Sequence, residues 1–138
     1  MANIISSLTF EDLVHTEKRP ILIDVYHIRC QPCLQMAPTI DAMAAEFLAV
    51  LKIVKLDRDE ADANGGTQNP LIKFLAKQGI QGVPALLLFE GGEFKGVLMG
   101  GPRPRSNILE WLEKTLGRNL SVTNTSQKLG PGGRSPGL

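Results

Sequence analysis

The sequence has little of what would mark a membrane, nucleic-acid or metal-binding protein. No stretch of its 138 residues approaches the roughly 20 consecutive apolar residues that a membrane-spanning helix needs. The first ten residues carry no basic residue ahead of their apolar positions, and their longest aliphatic run is Ile4-Ile5. Both the charged and the apolar parts of a secretory signal are therefore missing. A cytoplasmic location is the expectation, in a compartment where thiols stay reduced. The formal net charge of +1 gives no strong field to attract a phosphate backbone or an anionic membrane surface, so neither nucleic acid nor membrane is expected as a partner. Cysteine is scarce: the chain has only Cys30 and Cys33, and histidine is limited to His15 and His27. A structural zinc site wants four ligands and no second cysteine pair supplies them, so no metal is expected. Nor does the pair suit a structural staple, because so short a loop yields little chain entropy when closed. Chemistry at the two sulfurs is the better reading.

What is present fits one soluble globular domain. The length allows one hydrophobic core and argues against two full domains. Thr9, Glu11, Asp12 and Leu13 read as the N-cap and acidic first turn of a short helix, stopped by Pro20. Ile21 to Tyr26 is a β-branched, nearly continuous apolar run, as in a strand covered on both faces, with Asp24 as its anomaly. From Cys33 the period becomes helical, with Leu34, Ala37, Ile40, Ala44, Phe47 and Leu48 on one stripe. Pro38 inside that pattern should kink the helix.

Leu51 to Leu56 reads as another strand, and the polar stretch from Asp57 to Asn69, with Gly65-Gly66, as a loop. Glu60, Asp62, Asn64 and Gly65 imitate half of a calcium loop, but Leu71 stands where its bidentate glutamate belongs. Asn69-Pro70 opens a short helix that ends at Gly79. Ala85 to Phe89 and Phe94 to Met99 are apolar runs on either side of Glu90-Gly91-Gly92-Glu93, which predicts an antiparallel hairpin. Ser106 is placed to cap a last helix carrying Ile108, Leu109, Trp111, Leu112 and Leu116, ended by Gly117. Alternating strands and helices followed by a hairpin predict an α/β fold. Its mixed sheet of four strands, or five with Asn3 to Ser6, would carry helices on both faces. The domain is expected over 1–118, as a monomer. The Ser, Thr, Asn, Gly and Pro of 119–138 are expected to form a disordered tail.

The motif Cys30-Gln31-Pro32-Cys33 follows a buried strand and opens a helix. A helix N-terminus presents unpaired N–H groups and the positive end of the macrodipole, which favour a thiolate over a thiol. Cys30 would be the more exposed sulfur and the nucleophile. Cys33, one turn deeper, would resolve the mixed disulfide. Arg29 adds positive charge beside Cys30.

Several spaced segments together resemble the thioredoxin family. They are Ile23-Asp24-Val25-Tyr26, the cysteine motif, Ala37-Pro38, Val54-Lys55-Leu56-Asp57, Gly79 to Leu86 with Val83-Pro84 inside it, and Gly91-Gly92-Glu93. The resemblance covers about the first 118 residues. It implies a thioredoxin fold and a thiol–disulfide oxidoreductase that reduces protein disulfides, with a redox-active Cys30–Cys33 disulfide and no bound cofactor. Disulfide-containing proteins would be its substrates and a thioredoxin reductase its source of electrons.

By the same resemblance, Asp24 would lie beneath Cys33 and move its proton, with Lys55 near that carboxylate. Pro84 would be cis and face the disulfide, and Val83 would offer backbone groups to an extended substrate. Gly82, Gly100 and Gly101 would keep that surface shallow, although turn formation explains Gly100 and Gly101 equally well. Arg29 and Gln31 replace the family's usual tryptophan and glycine around the first cysteine. His27 stands where a small residue is usual; it is read either as a partner of the thiolate or as a packing residue. These departures, the 57–69 stretch and the tail motivate an alternative: a binding or assembly module for a dedicated partner, its cysteines incidental.

Overall fold

A computed structural model describes residues 2–120. Five strands form one mixed sheet: β1 (Asn3–Ile4), β2 (Ile21–Tyr26), β3 (Lys52–Asp57), β4 (Ala85–Glu90) and β5 (Glu93–Met99). Their order is β1-β3-β2-β4-β5. The first three are parallel, while β4 runs antiparallel to both β2 and β5. The helices are α1 (Phe10–Thr16), α2 (Gln31–Glu46), α3 (Arg58–Ala63), α4 (Pro70–Gln78) and α5 (Arg105–Leu116).

Because side chains alternate along a strand, β2 feeds two cores. Leu22 joins Ile53, Leu86 and Leu88 beneath α2 and α5, packed on Met36, Ile40, Met43, Phe47, Ile108 and Leu112. Ile21, Ile23 and Val25 face the other way, against Phe10, Val14, Leu71 and Leu75 of α1 and α4. The apolar run at β2 is thus explained by burial on both faces. The hairpin closes through Gly91 and Gly92 at φ 63° and 81°, the left-handed pair that a two-residue turn requires.

Four details depart from the sequence reading. The 57–69 stretch contains α3 and a one-turn 3-10 helix at Gly66–Gln68. Asp57 caps α3 by accepting the Asp59 N–H at 2.9 Å. Glu60 on α3 accepts the Ser7 N–H at 2.8 Å and the Asn64 amide. Buried Asn69 accepts the Leu71 N–H at 2.9 Å while donating to Ser7 Oγ and the Asn64 carbonyl, both at 2.8 Å. This polar network ties the connection to the N-terminal segment.

On α2, Leu34 and Leu48 are exposed and Met36 and Met43 are buried instead. At about 100° per residue, the buried stripe is the one continuing from Cys33 through Met36, Ile40, Met43 and Phe47. Ser106 does not cap α5, which begins at Arg105 after Pro104. Finally, the packed chain runs past 118. Leu120 is buried and its N–H donates to the Glu113 carboxylate at 2.8 Å. The rest of the expected tail, 121–138, lies outside the described residues.

Candidate active site

The chain leaves buried β2 at Tyr26, turns through His27 to Arg29, and enters α2 at Gln31. Two hydrogen bonds shape the turn: the Cys30 N–H donates to the His27 carbonyl at 3.2 Å, and the Arg29 N–H to His27 Nδ1 at 3.1 Å. The His27 ring thus accepts from local backbone, and among the described residues no bond from it to a sulfur is formed. Cys30 is the N-cap of α2, in extended conformation. Its Sγ accepts the Cys33 N–H at 3.2 Å, where a serine or aspartate oxygen would ordinarily satisfy a helix's first amides. Pro32 sits in the first turn, where a missing N–H leaves no bond unmade. The cysteines form a disulfide with Cα atoms 5.2 Å apart. Cys30 is 8% exposed and Cys33 3%, so access runs through Cys30. Arg29 and Gln31 are exposed beside it, and Arg29 forms no ion pair among the described residues.

Asp24 points to the α2 side of the sheet, the same side as Leu22, and is 1% exposed. Its Oδ1 has no hydrogen-bond partner among the described residues. Burial pushes its carboxyl up to about 6; Lys55 opposes the rise and Asp41 adds to it. Lys55 is its direct neighbour on parallel β3, and the Lys55 ammonium lies 5.2 Å from the Tyr26 ring centre. An acid of this kind is poised to take and return a proton near neutral pH. Asp41 was not among the sequence candidates. It lies on α2, half-buried, accepting the Ala2 N–H at 3.0 Å. Its off-stripe position disguised that burial.

The loop before β4 supplies a second wall. The Val83–Pro84 bond is cis, and so is Gly101–Pro102. Pro84 is buried while Gly82 is exposed and Val83 half-buried. The Gly100 N–H donates to the Pro84 carbonyl at 3.0 Å. A Cβ on Gly101 would stand 3.1 Å from Pro84 Cγ and 3.6 Å from Met36 Sδ, so close packing, beyond turn formation, calls for glycine there. Met36 follows Cys33 by three residues and shares its helix face. Pro84, Gly100 and Gly101 are thereby brought together against the helix that carries the cysteines. Met36 was missed by the sequence reading, although the i, i+3 spacing from Cys33 could have found it.

Comparison with known proteins decides the family. The sequence model of the thioredoxin family matches residues 2–114. The chain belongs to the thioredoxin family. A thioredoxin of Rickettsia felis is 29% identical over 116 residues, covering 84% of this chain and all of the relative. Thioredoxin 1 of Nostoc sp. is 30% identical over 112 residues, 81% of this chain and 94% of the relative. An M-type chloroplastic thioredoxin of Pisum sativum is 32% identical over 111 residues, 80% of this chain and 58% of the relative. The thioredoxin fold expected from sequence is the fold observed. With its cysteine pair bonded at the mouth of α2, the chain is a thiol–disulfide oxidoreductase of the protein-disulfide reductase type.

Proposed function

We propose that the chain reduces protein disulfides with Cys30 as nucleophile and Cys33 as resolving thiol, in the cytoplasm and as a monomer. The reduced Cys30 thiolate attacks one sulfur of a substrate disulfide. A mixed disulfide forms and the substrate's other sulfur leaves as a thiolate, which takes a proton. Cys33 then gives its proton to the Asp24 carboxylate and attacks Cys30 Sγ, releasing the second substrate thiol. Two electrons pass to the substrate and the Cys30–Cys33 disulfide remains, the form in which the pair stands here. A thioredoxin reductase would return two electrons, ultimately from a nicotinamide cofactor held by that partner and not by this chain.

In this scheme Val83 lends backbone groups to the substrate, and Pro84, Gly100 and Gly101 form the surface it lies on. Lys55 moderates the ionisation of Asp24. Arg29 and the α2 dipole stabilise the Cys30 thiolate, and Gln31 and Pro32 set the first turn that holds it. The cytoplasmic assignment is supported by the sparse use of cysteine, confined to one exchangeable pair. The monomer reading draws on the large apolar residues Ile4, Leu8, Ile28 and Leu48 being exposed singly, at separate points along the chain.

The observation that carries the reading is the Cys30 sulfur serving as the cap of α2, accepting the Cys33 N–H. Reduction of insulin disulfides with dithiothreitol as electron source tests it. The wild type should accelerate insulin precipitation and Cys30→Ser should not. Equal rates for the two proteins would remove Cys30 from the mechanism.

A further inference from the structure

We propose that a recess beside Pro84 receives an acidic side chain of the protein substrate, with Arg103 as the residue that selects it. The proposal rests on the disulfide-reductase reading above and adds a substrate preference to it. The recess is a shallow depression, widely open to solvent, of about 430 Å³, lined by Gly100 to Pro104 and by Asn107 at the start of α5. Its position follows from two contacts already described. Gly100 is hydrogen-bonded to the Pro84 carbonyl, and Gly101 lies against Pro84 and Met36. A substrate segment laid along Val83 and Pro84 would therefore run beside the mouth of the recess.

Arg103 is held there by an unusual set of partners. Its Nε donates to the Gly100 carbonyl at 3.2 Å, one Nη donates to Asn107 Oδ1 at 2.9 Å, and the other donates to the Met99 carbonyl. All three acceptors are neutral. The guanidinium is thus fixed in direction while its charge is left uncompensated, since Arg103 makes no ion pair among the described residues. A guanidinium has five N–H donors, so two remain for an incoming group. Most of the other arginines among the described residues contrast with it: Arg19, Arg105 and Arg118 each pair with a glutamate. A cation anchored by neutral acceptors at the rim of a binding surface suits a carboxylate, which an arginine can receive by two parallel hydrogen bonds.

The test uses three peptides that differ only in having Glu, Gln or Lys beside one cysteine of an internal disulfide. Each is reduced by the full chain as wild type, Arg103→Gln and Arg103→Lys, at low and high salt. For the wild type, kcat/KM should fall in the order Glu, Gln, Lys. The Glu-to-Lys ratio should be about five- to tenfold, as for an exposed charge pair, carried by KM and shrinking with salt. Arg103→Gln should bring the ratio near one, and Arg103→Lys should restore part of it. A ratio unchanged in Arg103→Gln would overturn the proposal. So would an equal loss on all three peptides, which would leave Arg103 as a loop brace only. Wild-type reduction of a small aromatic disulfide, which does not reach the recess, reports separately on the cysteine pair. Failure of that control would strike the reductase reading instead.

Discussion

Removing the Asp24 charge should make the protein more stable, and by an amount that depends on pH in a particular way. The side chain is 1% exposed and its Oδ1 is unpartnered among the described residues. Burial, against the pull of Lys55 and with the push of Asp41, raises its carboxyl from 3.8 to about 6. In the unfolded chain the same group would ionise near its ordinary value. Between pH 4 and 6 the native state therefore holds a proton that the unfolded state has lost, and wild-type stability falls as pH rises. Below pH 4 both states are protonated, above about 6 both are ionised, and the slope vanishes at either end. At 1.36 kcal/mol per pKa unit, the accumulated penalty at pH 7 is about 3 kcal/mol.

Urea unfolding of wild type and Asp24→Asn from pH 3.5 to 8 measures it. The variant's advantage should grow from pH 4 to 6 and then level off. A pH-independent cost of burying the asparagine amide would displace the whole curve without changing its shape. A difference that stays flat across this range would refute the reasoning. The same variant should slow insulin reduction at pH 7 by on the order of 10²-fold, the low end for loss of a general base. Stability and activity would thus move in opposite directions at one residue.

Two further outcomes follow from the packing. Asn69→Ala removes the α4 cap and leaves buried Ser7 without its donor, so it should cost about 2–3 kcal/mol in urea unfolding, and a loss below 0.5 kcal/mol would contradict it. Trp111 lies half-buried on α5 against the core and beside Gly96 of β5; its fluorescence should change little on reduction, and a large change would place it near the sulfurs.

The parts of the fold that could be read in advance are those in which local chemistry and global packing agree. The two-sided burial of β2 wrote itself as an unbroken apolar run, Gly91-Gly92 as a turn, and Asn69-Pro70 and Gly79 as the ends of α4. The cysteine pair was legible because its context, a buried strand feeding a helix, is local. α3 was not, since its six residues, Arg58 to Ala63, carry no apolar stripe and are held by the Asp57 and Asn64 caps and by a tertiary bond from Ser7 to Glu60. Leu34 was misplaced because the buried face of α2 is set by what lies beneath it on the sheet, which the helix alone does not record. Asp41 was hidden for a related reason, since its role appears only when the Ala2 N–H is brought against α2. Met36 was within reach of the i, i+3 spacing from Cys33, and only its contact with the Pro84 and Gly101 loop needed the fold.

The proposed chemistry depends on the ionisation of one sulfur at the start of α2. Alkylation of the reduced protein by iodoacetamide across pH 5 to 10, followed by mass spectrometry at Cys30, measures it directly. The rate profile should have its midpoint well below the value of about 8.5 for free cysteine, with Cys33 reacting far more slowly. A midpoint at or above 8.5, or equal reactivity of the two thiols, would contradict the assignment of Cys30 as the nucleophile.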